Sequence, residues 1–258
     1  MHLPFSVFCG GNIERHAQPF SQAGRSAGKP APRPSPPTLG VLIMPFHPIN
    51  ASDACLRRSR RLLALAAQAL PDARVKNDLR RSALVMAVTA VDSYMHWLVY
   101  RQISEVRKEG DLPKSLAKLD LPFTDIASLA DATIRGRKDG VDTRPWVQVK
   151  NAMQKRLLKE TFQSYEQVAT AFSWAGIEKP WSRVAAKLGI QADDIKSRLN
   201  ALVHRRNQIV HEGDITRASR PHKLKYNEVD HAQVVADVNW IAALIQAVEQ
   251  VVVDGNPP

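Results

Sequence analysis

Arg206 and His211 stand five residues apart in the segment RRNQIVHEGD, near the end of a stretch with helical periodicity. A histidine can accept or donate a proton near neutral pH. An arginine keeps its charge, and its planar guanidinium group matches the oxygens of a phosphate. The two residue types together suit proton transfer beside a bound phosphate group.

Arg206 falls at the centre of the apolar face predicted for this helix. At 100° per residue, that face carries Ile195, Leu199, Leu202, Val203, Ile209 and Val210. An unpaired buried charge is costly, so we expect Arg206 to pair with an acid or to border a site. Arg206 and His211 point about 140° apart on a regular helix. We therefore expect two chains, related by a two-fold axis, to combine their pairs in a dimeric composite site.

Other patterns of the same residue types carry less weight. Arg217 and His222 repeat the spacing in the proline-containing segment RASRPH, which we interpret as a chance match. His204 and His211 share a helix face, but no third metal ligand lies at helical spacing between them. The glycine-rich phosphate loop, H-E-x-x-H and G-x-S-x-G motifs are missing from the sequence. We therefore predict neither a metal site nor any other cofactor.

A polar stripe runs along an otherwise apolar segment earlier in the chain. Its members recur at helical spacing and are Thr89, Asp92, Ser93, His96 and Tyr100. Buried polar groups need partners, and two interpretations remain open. Asp92 could hydrogen bond to His96 with help from Ser93, or it could face Arg206 and neutralise it. In the second case Asp92 and His96 support the site.

Basic residues outnumber acidic ones by 36 to 25, giving a net charge of +11. This excess favours an anionic partner, of which nucleic acid is the commonest. Arginines cluster at Arg57, Arg58, Arg60 and Arg61, and the cluster continues through Arg74, Lys76, Arg80 and Arg81. A solvated helix face is the ordinary interpretation of such a run. The alternative is an RNA-binding surface that also includes Arg205.

The chain divides into a proline-rich tail and a helical domain. Residues 1–48 hold nine of the seventeen prolines and are predicted to be disordered and dispensable for folding. Residues 49–255 are predicted to form an all-α bundle with long antiparallel helices. Its predicted helices begin at Asn50 or Ser52 and end near Leu70, then span about 72–108, 125–135, 145–175, 181–187, 192–212 and 227–252.

The expected compartment is the cytoplasm. The first residues lack the features of a secretory signal, and Cys9 and Cys55 cannot build a disulfide framework. Residues 83–100 approach the length of a membrane span, but Asp92 and His96 would be costly in lipid. We therefore expect a buried helix there and no membrane association.

Two segments resemble the HEPN superfamily. RRNQIVHEGD is similar to its arginine–polar–spacer–histidine signature, and AVTAVDSYMHWLV resembles the second-helix segment of the RiboL-PSP-HEPN branch. The resemblance implies an α-helical bundle, a homodimer and, in many members, a metal-independent endoribonuclease. Carried over by position, it implies that Arg206 and His211 are catalytic and that Asn207 supports them.

The resemblance also suggests a role in toxin or antiviral-defence systems, with RNA as substrate and a regulatory or antitoxin protein as partner. Antitoxin-paired members carry a tyrosine two residues after the histidine, where this chain has Gly213. That difference argues against a nucleotidyltransferase-type antitoxin. Two alternatives are a catalytically inactive module that binds RNA, a nucleotide or a protein, and a structural adaptor in which Arg206 merely pairs with Asp92.

Overall fold

A computed structural model describes residues 47–68, 72–109, 113–140, 145–216 and 224–255. Nearly all of the predicted tail lies outside these residues, and Met44–Pro258 forms one compact unit. In the described part of the chain the predicted all-α fold is confirmed. The helices are α1 (Pro48–Ala66), α2 (Ala73–Glu109), a short 3-10 turn (Leu116–Lys118), α3 (Phe123–Lys138), α4 (Pro145–Leu157), α5 (Tyr165–Trp174), α6 (Pro180–Leu188), α7 (Ala192–Glu212) and α8 (His231–Gly255).

The long helix α2 forms the centre of the bundle. It packs against α1, α4, α5, α7 and α8. Its buried side chains include Val88, Val91 and Tyr94, and they are covered on all sides by residues of these neighbours. The hydroxyl of Ser59 on α1 donates a buried hydrogen bond of 2.7 Å to the carbonyl of Ala83. This bond fixes the register of an antiparallel α1–α2 pair.

Two helices, α2 and α8, are long and apolar enough to cross a membrane by length and composition. Of the apolar stretches tested, 56% in α2 and 50% in α8 is buried inside the protein. Burial of this extent is typical of core helices in a helical bundle, which satisfy the same criteria. In α2, Asp92 and His96 of the polar stripe also have partners within the protein, which are described below.

The predicted single helix over 145–175 is wrong, because the structure has two helices there, α4 and α5. Ser164 begins α5 with a capping box, in which its hydroxyl accepts from the Gln167 amide and the Gln167 side chain accepts in return. The break also gives the α2 stripe its partner. Asp92 accepts a hydrogen bond of 2.5 Å from the backbone N–H of Phe162.

Helix α7 has the predicted bounds, and its last turns extend beyond the core. Ile195, Leu199 and Leu202 are buried, whereas Val210 is 46% exposed. Gly213 ends the helix in the left-handed conformation, with φ of 64°, as expected for a helix that stops at glycine. The chain then turns back through an isolated bridge between residues 215 and 226. The segment RRNQIVHEGD therefore lies at a helix end that is open to solvent on one side.

Candidate active site at the end of α7

Arg206 and His211 meet within a single chain. The Arg206 Nη1 atom lies 3.5 Å from His211 Nε2. The guanidinium can only donate, so in a hydrogen bond between the two side chains Nε2 is the acceptor. The expectation that one helix cannot bring these two residues together is therefore wrong. The 140° angle separates the Cβ directions, but the long arginine side chain spans the gap.

The guanidinium of Arg206 is held in place without being neutralised. Its Nη1 atom also donates a hydrogen bond of 2.9 Å to the Asn207 side-chain oxygen. Its Nε atom is buried and has no hydrogen-bond partner among the described residues. Among the residues that the structure describes, no carboxylate pairs with the Arg206 guanidinium. A guanidinium edge with unsatisfied donors is suited to bind an anion in the forked geometry that phosphate oxygens accept. His211 beside it is exposed.

Asp92 and His96 do not reach this pair, and Asp92 does not face Arg206 as one interpretation predicts. Asp92 accepts from Phe162 N–H and, at 3.2 Å, from the Gln163 side chain. The His96 Nε2 atom is 3.7 Å from Asp92 Oδ1, which is ion-pair distance and too long for the predicted hydrogen bond. The His96 ring packs edge-on against Phe162, with centroids 4.8 Å apart. Both residues thus stabilise the start of α5.

A buried carboxylate just beyond the pair is the feature that the sequence analysis missed. Asp214 is 1% exposed and has φ of 57°. It accepts hydrogen bonds from Arg81 Nε (2.5 Å), from both terminal nitrogens of Arg205, and from the Asn227 side chain (3.0 Å). Burial acts to raise the pKa of Asp214, but the hydrogen bonds from Arg81, Asn227 and Arg205 outweigh it, and the pKa is lowered from its ordinary value of 3.8.

Three arginines of the predicted RNA-binding surface have internal partners, and two of them, Arg81 and Arg205, share the Asp214 carboxylate. Arg205 is held by Asp214 and by the Glu228 carbonyl, at 3.1 Å. Arg81 also donates to the Asn227 carbonyl. Arg80 donates to the carbonyl of Val229, at 3.2 Å. These side chains tie α2 and α7 to the segment before α8. They fix the position of the helix end that carries Arg206 and His211.

The four arginines of α1 remain on the surface. Arg57, Arg58, Arg60 and Arg61 are exposed, and in the described residues none has a hydrogen-bond or carboxylate partner. Ser59, which lies between them, is bonded to Ala83 on α2. Two residues before Ala83, Arg81 is bonded to Asp214. Ser59 therefore joins α1, and Arg81 joins the chain just after α7, to neighbouring residues of α2.

Within the residues that the structure describes, no group of three His, Cys, Asp or Glu side chains could hold a metal ion. The second histidine of α7, His204, is exposed. Arg217 and His222, the other match to the spacing, lie outside the described residues. At the end of α7 the structure places an imidazole beside a guanidinium whose partners in the described residues include no carboxylate.

Comparison with known proteins gives one match. No curated protein and no solved structure matches the chain. The profile of the RiboL-PSP-HEPN family matches residues 53–254, which run from the first turns of α1 to the last turn of α8. The match covers most of the 258 residues and includes both segments that carry the resemblance. The chain therefore belongs to the RiboL-PSP-HEPN family.

Proposed function

We propose that this protein is a metal-independent endoribonuclease and that Arg206 and His211 of one chain are its catalytic unit. The family points to a nuclease or RNA-related function. The observation that carries the finer proposal is the 3.5 Å contact between Arg206 Nη1 and His211 Nε2, at an exposed helix end. Two residues with the required chemistry lie together where a strand of RNA has access.

In the proposed mechanism each side chain has its own step. When Arg206 turns its Nη1 donor from His211 to the phosphate, His211 Nε2 is free to accept the proton of the 2′-hydroxyl group, whose oxygen then attacks the adjacent phosphorus. Arg206 binds the non-bridging oxygens and stabilises the charge that grows on them. The bond from phosphorus to the 5′-oxygen breaks, and the leaving oxygen takes a proton from solvent. The products end in a 2′,3′-cyclic phosphate and a 5′-hydroxyl. Asn207 positions Arg206 through its side-chain oxygen.

The proposal replaces the dimeric composite site with a unit inside one chain. A composite site would place Arg206 of one copy beside His211 of another. Mixing the variants Arg206→Ala and His211→Ala after joint refolding would then restore activity in the mixed dimers. We expect no recovery, because neither chain in the mixture has both members of the unit. Recovery to about a quarter or more of the wild-type rate would favour the composite site.

The RNA path is proposed to run from this pair to the α1 arginines. The exposed side chains of Arg57, Arg58, Arg60 and Arg61 have no internal carboxylate to neutralise them. They project from the helix that Ser59 joins to α2 at Ala83, two residues from Arg81 and its bond to Asp214. Exposed arginines contact phosphates without regard to base sequence. They would hold a single strand in register with the catalytic pair.

The experiment is cleavage of single-stranded RNA in the presence of EDTA. Wild type should cut and leave 2′,3′-cyclic phosphate ends. His211→Ala should lose about a hundred- to ten-thousand-fold in rate, the usual contribution of a general base. His204→Ala is the matched control, since it removes an exposed histidine from the same helix and should cut like wild type. Cleavage that persists in His211→Ala, or that stops in EDTA, would contradict the proposal.

RNA binding without cleavage would identify the chain as a catalytically inactive binding module. Filter binding of the same RNA by wild type, run beside the cleavage assay, separates the two functions. Expression of wild type and of His211→Ala in a bacterial host tests the proposed toxin or defence role. Growth arrest that requires His211 would support it, and equal growth would contradict it.

A further inference from the structure

Tyr226 presents an aromatic ring to solvent near the end of α7. It is 57% exposed, and among the Phe, Trp and Tyr side chains that the structure describes only Phe123 is exposed as well. The other described aromatic side chains are buried or half-buried in the bundle. Packing of the core therefore does not account for the position of the Tyr226 ring.

Main-chain contacts hold Tyr226 beside the last turn of α7. Residues 215 and 226 form the antiparallel bridge, which is flanked by main-chain hydrogen bonds of 2.7 and 2.9 Å. Only three residues separate position 215 from His211. At about 3.3–3.6 Å per residue and about 5 Å across a bridge, the Cα atoms of Tyr226 and His211 are at most roughly 20 Å apart. A strand of RNA spans that distance in a few nucleotides.

Arg81 backs one face of the Tyr226 ring. Its Cζ atom lies over the ring, 5.5 Å from the centroid. Each of the three guanidinium nitrogens is bonded, to Asp214, to Asp78 and to the Asn227 carbonyl, so the cation is fixed in position. A cation over one face of an aromatic ring attracts that ring. With this face covered and more than half of Tyr226 exposed, the opposite face is open to solvent.

We propose that the open face of Tyr226 stacks against an unpaired base of the RNA, a few nucleotides from the bond at which His211 acts. This inference rests on the proposed ribonuclease function and names its substrate class. Every base has a flat π-face, so stacking on an aromatic ring holds a single strand with little regard to sequence. A base paired inside a duplex cannot reach the ring, so the substrate is RNA that is unpaired beside the cleaved bond. Tyr226 is a positioning residue and transfers no proton.

Abasic substitution tests the stacking contact without altering the protein. A short oligoadenylate with one ribonucleotide in the middle and 2′-deoxynucleotides elsewhere fixes the cleaved bond. The same strand with 2′-deoxynucleotides throughout reports affinity without cleavage. Bases are removed one at a time from the three positions on each side of the bond. One position should weaken binding far more than the rest, by about 5- to 150-fold. Equal losses at all positions, no loss, or no binding of the complete strand would overturn the proposal.

Tyr226→Ala combined with these strands gives a double-mutant cycle. The variant should bind the complete strand as weakly as wild type binds the strand that lacks the stacked base. On that abasic strand the two proteins should bind alike, because the partner of the ring is already gone. Tyr226→Phe keeps the ring and should bind like wild type, as should Phe123→Ala, which removes the exposed aromatic of α3. An equal loss on both strands would show that Tyr226 only supports Arg81, and would overturn the proposal.

Cleavage and affinity together separate this inference from the proposed function. If Tyr226 contributes to binding in a base-dependent way but wild type leaves the ribonucleotide uncut in EDTA, the ribonuclease function fails and the stacking contact stands. If wild type cuts and Tyr226→Ala binds and cuts equally well, only the stacking contact fails. Where both hold, Tyr226→Ala should raise KM and leave kcat near the wild-type value, since stacking is present before and during the reaction. A fall in kcat at unchanged KM would overturn the positioning role.

Discussion

Arg205 and Arg206 are neighbours in the chain, yet their surroundings differ completely. Arg205 donates to a buried carboxylate, which it shares with Arg81, and to the Glu228 carbonyl. Arg206 donates only to an amide oxygen and a histidine, and its Nε atom has no partner among the described residues. The first arginine fixes the end of α7, and the second keeps its charge available. An arginine with no acid of its own is the one to test for binding an external anion.

The largest effect expected from this comparison concerns the catalytic pair as a unit. Arg206→Ala and His211→Ala should each slow RNA cleavage by about a hundredfold or more. The double variant should be only slightly slower than the worse single variant, since members of one unit fail non-additively. Single-turnover rates of the three variants provide the measurement. Losses that multiply would indicate two groups that act independently.

The second largest effect concerns folding stability and comes from the ion pairs that Asp214 makes with Arg81 and Arg205. Asp214→Ala leaves Arg81 and Arg205, which are largely buried, without their acid. Breaking a buried ion pair in this way costs about 3–5 kcal/mol, which corresponds to a fall of roughly 10 °C in the unfolding midpoint of a domain of this size. Asp78→Ala removes the other acid that pairs with Arg81, one that is exposed. It should change the midpoint little, and equal effects of the two variants would contradict this assignment.

The loss of folding stability at acid pH should further distinguish the surroundings of Arg205, which contain Asp214, from those of Arg206. The pKa of Asp214 is lower in the folded chain than its ordinary value of 3.8, so the unfolded chain binds more protons near that pH. Its contribution to stability is present above pH 3.8 and is lost as the pH falls below that value toward the folded pKa. Urea unfolding at pH 5, 4 and 3 should therefore show a flatter decline in Asp214→Asn than in wild type. Parallel declines would exclude Asp214 as a source of acid sensitivity.

The smallest effects are expected at the α1 arginines, because each makes one exposed contact. Removing one should reduce the slope of log affinity against log salt by about 0.7 for single-stranded RNA. Arg57→Ala and Arg61→Ala should thus weaken binding without changing the single-turnover rate at saturating protein. Lys118→Ala, another exposed cation, serves as control. An unchanged salt slope in both arginine variants would remove α1 from the RNA path.

Most of the fold follows from periodicity and helix-end signals. The bounds of α7 are as predicted, because apolar residues at helical spacing are followed by Gly213. Glycine readily adopts the left-handed conformation that ends a helix. The break between α4 and α5 is visible only in retrospect. Ser164 and Gln167 form a recognisable capping box, but the apolar pattern continues across the break and obscures it. The contact of Asp92 with Phe162 completes the interruption, and no local pattern predicts it.

Spacing and residue chemistry name Arg206 and His211 as candidates, but they do not predict the geometry of the pair. The contact between the two residues depends on how far a flexible guanidinium reaches. The partners of Asp214 lie as far as 133 residues away along the chain. Pairing across such separations is decided by helix packing. For the same reason the basic run containing Arg80 and Arg81 resembles an RNA-binding surface in sequence and proves to be internal structure.

The central claim is that Arg206, and not its neighbour, performs chemistry on RNA. Its most direct test is the single-turnover rate at which Arg206→Ala cleaves a short single-stranded RNA in EDTA, well below the unfolding midpoint. The rate should be about a hundred- to a thousand-fold below wild type, and the unfolding midpoint should stay where wild type has it because no internal acid loses its partner. A rate equal to wild type, or a loss that merely follows a fall in the midpoint, would exclude Arg206 as a catalytic residue.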